Sequence, residues 1–275
     1  MVHSDWGDWL PRAVEDATPE GVAIWYLGCN GFILKAEDGT TVFIDPYLGI
    51  GDPPRTVRMV PVPFAPEDVA DVDAVLATHE HTDHVHGPTA GPLLADHDAT
   101  FYGPDDSVAV TAEEEWAETY NLDREQFVEV GEGDTVEVGS LTVQVEPAND
   151  PDASHPVSFV VEHEAGTFFH GGDARPGDFE AVGERYDIDV GALAFGSAGM
   201  IPDKQTREPK YTKWYNDENQ IIEAAREVQV DTLLPTHWDI WKGLNADPAT
   251  LHNHARSFAY PEQIRVTEIG DRLDI

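Results

Sequence analysis

Thr78-His79-Glu80-His81-Thr82-Asp83-His84 places four potential metal ligands within six residues. It directly follows Val72-Asp73-Ala74-Val75-Leu76-Ala77, an apolar run that predicts a buried strand ending at the motif. A loop leaving a strand end is free of strand and helix periodicity, so it can aim several side chains at one point. Imidazole nitrogens and carboxylate oxygens are the donors that zinc and similar divalent ions prefer. A plain surface turn would draw on Gly, Pro, Asn and Asp rather than on His. The stretch therefore predicts a metal site.

The same arrangement recurs further along. Asp173 follows the apolar segment Thr167-Phe168-Phe169 through His170-Gly171-Gly172, and His237 follows Thr232-Leu233-Leu234 through Pro235-Thr236. His155 stands just before a third apolar run, Val157 to Val161. His79, His81, Asp83, His84, His155, Asp173 and His237 thus all fall at strand termini, where the sites of α/β architectures gather. Seven such ligands would crowd one ion, but they divide naturally between two that share one carboxylate. His170, inside a strand, reads as a hydrogen-bonded core histidine.

Around these points the chain alternates short apolar runs with glycine and proline punctuation. Val22 to Leu27, Phe32 to Ala36 and Thr41 to Ile44, with the Asp38-Gly39 turn signal, predict an antiparallel meander closing at Asp45-Pro46-Tyr47-Leu48. Residues 49–66, interrupted by Pro53, Pro54, Pro61, Pro63 and Pro66, predict a long loop. Pro88 to Asp96 predicts a short helix, and residues 105–120 a second with Ala109, Ala112, Trp116 and Tyr120 at helical spacing. A capping box, Asp217 with Gln220, opens another helix carrying Ile221, Ala225 and Val228 along one face. Two strand-rich halves with intervening helices predict an α/β fold in which a sheet-on-sheet core is covered by helices on both faces. Residues 1–275 are expected to form a single domain, with 1–20 as an N-terminal extension.

The charge is extreme: 53 acidic against 16 basic residues, a formal net charge of −37. The acids are spread along the whole length rather than gathered in a tail, which speaks for a folded chain whose self-repulsion is relieved by salt. A salt-adapted cytoplasmic protein is the expectation. Binding to a phosphate backbone would need a basic surface, so nucleic acid is excluded as a partner. Cys29 is the single cysteine, so neither an intrachain disulfide nor a thiolate zinc finger is available. No apolar stretch is long enough for a membrane span, and no membrane role is expected.

The pattern His-x-His-x-Asp-His at residues 79–84, with His155, Gly172-Asp173 and His237 downstream, resembles the metallo-β-lactamase fold superfamily. The resemblance implies an αββα sandwich of two mixed β-sheets flanked by helices. It implies one ion on His79, His81 and His155, a second on Asp83, His84 and His237, and Asp173 bridging them. Leu27-Gly28-Cys29-Asn30-Gly31-Phe32, Asp45-Pro46-Tyr47-Leu48 and Pro235-Thr236-His237-Trp238-Asp239-Ile240-Trp241 are similar to the L-ascorbate-6-phosphate lactonase group within it. There Asp45 would orient a ligand histidine.

Two divalent ions, zinc or manganese with iron as a further option, would make hydroxide available at neutral pH for attack on a lactone or ester. Asp83 would accept the proton of the nucleophile and pass it to the leaving oxygen. Lys204, Arg207, Lys210 and Lys213 stand within ten positions of an otherwise acidic chain, and Lys242 lies just past His237. They predict a pocket for an anionic small-molecule substrate, the alternative being a salt-bridging or subunit-contact segment. Arg55 and Arg58 form a smaller pair in the long loop. Phosphodiester hydrolysis would use the same site, and a non-catalytic metal-binding protein is the reading from a different class. A homo-oligomer is expected, with residues 105–120 or 217–228 as its contacts.

Overall fold

The computed structural model describes residues 2–196 and 198–275. Helix α1 (Trp9–Glu15) precedes β1 (Val22–Gly28), β2 (Gly31–Ala36), β3 (Thr41–Ile44), β4 (Ala74–Leu76), α2 (Gly87–His97), β5 (Thr100–Gly103), α3 (Asp105–Glu113), α4 (Trp116–Tyr120) and β6 (Phe127–Glu129). There follow β7 (Thr135–Val138), β8 (Leu141–Pro147), β9 (Val157–His163), β10 (Gly166–His170), α5 (Glu180–Arg185), β11 (Val190–Ala194), β12 (Ala198–Pro202) and β13 (Pro209–Lys213). The chain ends with α6 (Glu218–Val228), β14 (Thr232–Thr236), α7 (Leu251–Ala255), β15 (Gln263–Ile264) and β16 (Arg272–Asp274). Two seven-stranded sheets result, ordered β16-β1-β2-β3-β4-β5-β6 and β15-β14-β11-β10-β9-β8-β7, with β12 and β13 as a separate ribbon. Both are mixed: β3 to β6 run parallel in the first, and β10, β11, β14 and β15 in the second.

The layering follows from the two-residue period of a strand. Val22, Ile24 and Tyr26 of β1 point between the sheets, where they meet Phe32, Phe159 and Phe168. Ala23, Trp25 and Leu27 point the other way, into a layer shared with Leu10 of α1 and Leu93 of α2. Both faces are buried, so the strand reads as an unbroken apolar run rather than an alternating one. A third cluster joins Phe169 and Leu233 of the second sheet to Val182 of α5, Ile221 and Val228 of α6, and Leu251 of α7. The order of layers is helix, sheet, sheet, helix.

The helix expected across residues 105–120 is two helices. Glu115 adopts a left-handed φ of 54°, so α3 stops and α4 restarts around Trp116. Ala109 and Ala112 are exposed, while Ser107 and Thr111 form the buried face. The reason is proximity: a Cβ on Gly103 of β5 would lie 2.9 Å from the Ser107 Cβ, so only small side chains fit between helix and strand.

The capping box of α6 is present. Asp217 Oδ1 accepts the Asn219 and Gln220 N–H groups at 3.0 Å each, Gln220 accepts from the Asp217 N–H at 3.3 Å, and Lys213 Nζ donates to Asp217 Oδ2 at 2.6 Å. Asp217→Ala is expected to cost about 1–2 kcal/mol, as a lost N-cap does. The measurement is the urea midpoint at constant m-value, and an unchanged midpoint would refute the capping role.

Residues 2–20 pack onto the first sheet. Leu10 and Val14 are buried, and Lys35 Nζ donates to the last carbonyls of α1, Val14 at 2.8 Å and Glu15 at 2.9 Å. The N–H of Asp5 donates to the Val62 carbonyl and the N–H of Val62 to Asp5 Oδ2, both at 2.8 Å. The long loop is held by Arg58, whose largely buried guanidinium donates to the carbonyls of Tyr47, Val60 and Pro61 at 2.9–3.0 Å. Strands β8, β10 and β14 run in one direction, because β8 and β10 are each antiparallel to β9 and β14 lies parallel to β11 and β10. Their C-terminal ends therefore leave the sheet at one edge.

Candidate metal centre

The loop after β4 is oriented from below by Asp45. This carboxylate is fully buried and sits at a φ of 46°. Its Oδ1 accepts the Thr78 N–H at 2.8 Å, and its Oδ2 accepts the Thr78 hydroxyl and His84 Nδ1–H at 2.7 Å each. Having donated to Asp45, the Thr78 hydroxyl is left to accept from His79 Nδ1–H at 3.0 Å. Both histidines thereby present Nε2 with a free lone pair, the tautomer a metal requires. Burial alone would raise the Asp45 pKa, but His84, with His170 and His79 behind it, holds the carboxyl down to about 2. For His84 burial works against the charged ring, yet Asp45 and Asp173 push its pKa well above the ordinary histidine value. The pocket favours positive charge.

Two donor groups converge there. His79, His81, Asp150 and Asp173 have ligand atoms within 4.8 Å of one another, and so do His84, Asp173 and His237. His79 Nε2 and His81 Nδ1 face each other at 3.0 Å, with Asp150 Oδ2 3.7 Å from His79 Nε2. Asp173 serves both groups: Oδ2 lies 3.9 Å from His79 Nε2 and 3.4 Å from His84 Nε2, and Oδ1 lies 3.3 Å from His237 Nε2. Asp83 Oδ2 stands 3.7 Å from His237 Nε2, with the Cys29 thiol 3.5 Å from the same nitrogen. Burial opposes ionisation of Asp173, but His237 and His84 hold it far below the usual carboxylate range. Burial and the charge of Asp173 push Asp150 the other way, up to about 6.

Backbone and core details fix Asp173. Gly172 adopts φ 57°, and a Cβ there would lie 2.8 Å from the Thr78 hydroxyl, so the turn before Asp173 needs glycine. His170 is a buried core histidine: it accepts the Gly172 N–H on Nδ1 at 3.2 Å and donates from Nε2 to the Asn30 carbonyl at 2.7 Å. Asn30 donates to Asp173 Oδ1 at 3.3 Å and accepts the Thr236 hydroxyl at 2.7 Å. His237, at φ 64°, is stacked on Tyr215 with ring centroids 4.1 Å apart.

The residues fit divalent ions. The donors are imidazoles and carboxylates. Asp150 Oδ2 and His84 Nε2 are buried without a hydrogen bond among the described residues, a costly state unless something binds them.

The structure brings together six of the seven ligand candidates, His79, His81, Asp83, His84, Asp173 and His237, and leaves His155 outside. The His155 side chain is 68% exposed and paired with Asp105 and Asp106 at 2.9 and 2.7 Å. Asp150 stands where His155 was expected. Glu80 accepts the N–H and hydroxyl of Ser154 at 3.1 and 3.2 Å, which ties the 149–155 loop to the motif and turns Asp150 inward. The signal for Asp150 was available, because it follows the end of β8 just as the other ligands follow their strands. Asn30 and Thr78 carried no ligand signal, since their side chains position Asp173, Asp45 and His79 rather than offering a donor to a metal.

The metal groups form the floor of a cavity of about 850 Å³, whose walls include Tyr47, Arg55, Lys204, Trp214, Tyr215 and Trp241. Of the five basic residues expected at a substrate pocket, Lys204 lines this cavity. Arg207, Lys210 and Lys213 instead face Asp52, Asp203 and Asp217 at 3.9, 4.0 and 2.6 Å. Lys242 is exposed and does not line it. No helix among the described residues is long and apolar enough to cross a membrane.

A family profile described as "Beta-lactamase superfamily domain" matches residues 40–238. A protein of Escherichia fergusonii named "Probable L-ascorbate-6-phosphate lactonase UlaG" is 27% identical, over 89% of this chain and 77% of that protein. Among solved structures, Igni18, a metallo hydrolase of Ignicoccus hospitalis, superposes with a TM-score of 0.68 at 20% identity, over 92% and 98% of the two chains. CmlA, a diiron β-hydroxylase of Streptomyces venezuelae, gives 0.66 at 17% identity, over 94% of this chain and 55% of CmlA. Likeness at that level shows the fold, which carries more than one chemistry. The chain belongs to the beta-lactamase superfamily, and its two helix-flanked sheets are the metallo-β-lactamase fold.

Proposed function

We propose that this chain is a hydrolase holding two divalent ions, zinc or manganese, and that it opens a lactone or ester of an acidic or phosphorylated sugar-like substrate. The observation that carries the reading is the pair of donor groups sharing Asp173 at the floor of an open cavity. The 27% identity to a protein named as a lactonase supports the choice of a cyclic ester. When bound, the ions supply Lewis acidity that polarises a carbonyl and acidifies water. His79, His81, Asp150 and Asp173 would hold one, and Asp83, His84, His237 and Asp173 the other. Asp45 and Thr78 keep His79 and His84 in the ligating tautomer. Asp83, at the edge of the cavity with its side chain 19% exposed, takes up a proton and returns it to the leaving oxygen. Tyr47, Trp214 and Trp241 give a sugar-sized substrate apolar walls.

The test is turnover of the metal-loaded protein on a panel of sugar lactones and simple esters beside a panel of phosphodiesters. Lactone opening that disappears with chelator and returns with zinc or manganese is expected. Hydrolysis confined to the phosphodiesters, or no turnover on either panel, would overturn the reading.

The proposal includes a salt-rich cytoplasm as the place of work. With a net charge of −37, surface repulsion is felt over ~10 Å at 0.1 M salt and over ~3 Å at 1 M. The thermal midpoint is expected to rise by several degrees between about 0.1 M and about 2 M KCl. A flat or falling midpoint in calorimetry would contradict salt adaptation.

A further inference from the structure

We infer that Arg55 and Lys204, which line the cavity that the donor groups floor, recognise an oxyanion and select substrates carrying a phosphate or carboxylate remote from the bond that is cut. The inference rests on the hydrolase reading above and names its substrate class. Its starting point is an accounting of charge. In a chain with 53 acidic and 16 basic residues, eight of the cations face a carboxylate within 4 Å among the described residues. Arg207, Lys210 and Lys213 each have one, as do Arg175 with Asp152 and Arg185 with Glu146. Arg55 and Lys204 line the cavity, and neither is paired with a carboxylate among the described residues.

The acids of the same cavity are already engaged. Asp83, Asp150 and Asp173 belong to the donor groups of the floor, Asp152 faces Arg175 at 3.3 Å, and Asp52 faces Arg207 at 3.9 Å. The two cations are thus left to a ligand. They also arrive from chain segments far apart in sequence. Lys204 sits in the turn between β12 and β13, which carries no other lining residue. Arg55 sits in the 49–66 loop, where its N–H and that of Thr56 both donate to the Asp52 carbonyl, at 2.9 and 3.0 Å. Its guanidinium carbon lies 5.1 Å from the centroid of the Trp214 ring, the residue that follows β13. Stacking on an indole orients the planar fork and leaves its edge donors free, and a fork and a lysine point charge lining one cavity suit an oxyanion. His3 lines the same cavity and could add a third donor.

The experiment uses the metal-loaded protein and three matched lactones: one with a phosphate monoester, one with a carboxylate, and one neutral. Calorimetric binding of the three ring-opened products runs beside turnover, so recognition is measured even where hydrolysis is slow. Wild type is expected to bind and turn over an anionic lactone at least about tenfold better than the neutral one, chiefly through KM. Arg55→Gln and Lys204→Gln should each remove most of that preference, with kcat and the neutral lactone changed less than about threefold. Arg55→Lys, which keeps the charge and loses the stacked fork, should fall between. Whether the phosphate or the carboxylate lactone shows the larger loss identifies the oxyanion. Equal losses on charged and neutral lactones would assign both residues a structural role and overturn the inference, as would no loss at all. Wild-type hydrolysis of the lactones without preference for the anionic ones overturns the inference and leaves the hydrolase reading standing. Charge-selective product binding without lactone hydrolysis supports the inference and sinks that reading instead.

Discussion

On the proposed two-ion reading, Asp173→Asn is expected to lower the bound metal from two ions to one and to lower kcat/KM on the order of 10³-fold, since removing a single preorganised electrostatic contact can already cost about 10²–10³. Asp173 is the residue the two donor groups share. Its Oδ2 faces His79 at 3.9 Å and His84 at 3.4 Å, while its Oδ1 faces His237 at 3.3 Å. Asparagine keeps the shape and one acceptor oxygen but removes the negative charge between three imidazoles. It also replaces an acceptor atom by an N–H₂ that can ligate neither side. The fold should survive, because Gly172 and the His170–Asn30 hydrogen bond hold the turn independently of the carboxylate. The measurement pairs metal content by mass spectrometry with turnover and circular dichroism. A variant that keeps two ions and stays within tenfold of wild-type activity would sink the shared-carboxylate assignment.

Asp150→Ala and His155→Ala should part company completely. Asp150 is 6% exposed, its Oδ2 lacks a hydrogen bond among the described residues, and it stands 3.7 Å from His79 Nε2. Removing it leaves His79 and His81 with Asp173 alone, one donor short of the tetrahedral number. Metal affinity at that end should fall well beyond the ~10–100-fold typical of outer-shell changes, with activity following it. His155 lies on the surface beside Asp105 and Asp106, whose hydrogen bonds and charges raise its pKa. Its truncation removes an exposed ion pair that solvent screens, and metal affinity should stay at the wild-type value. Competition with a chromophoric chelator gives both affinities in one experiment. A larger loss from His155→Ala than from Asp150→Ala would restore the histidine as the ligand and refute the geometry.

These two residues also mark where reading the chain ran short. His79, His81, Asp83 and His84 were legible because a single loop carries them, and their direction is a local matter. The capping box at Asp217 was legible for the same reason. The helix across residues 105–120 was misread at its face, because Ser107, buried by the closeness of Gly103 on β5, and Thr111 one turn on form the covered side without being apolar. The strand-end argument pointed to the segment after β8, where the structure turns Asp150 toward His79. It chose His155 over Asp150 because the residue type that metals favour most stands five residues beyond the carboxylate that the structure turns toward His79.

The sequence by itself determined the layered α/β architecture and the strand-end positions of His79, His81, Asp83, His84, Asp173 and His237, since both rest on period-two burial and on where the strands stop. Only the tertiary structure decided the rest. Asp150 faces inward because Glu80, 74 residues away from Ser154, holds its loop. Three of the four cations between 204 and 213 are spent on Asp52, Asp203 and Asp217, while Arg55 meets Trp214 across the cavity. Residues 2 and 3 reach the cavity wall, and Asp5 is tied to Val62. Each is a pairing between segments remote in the chain. Charge and polarity say that a partner must exist, but only packing says which.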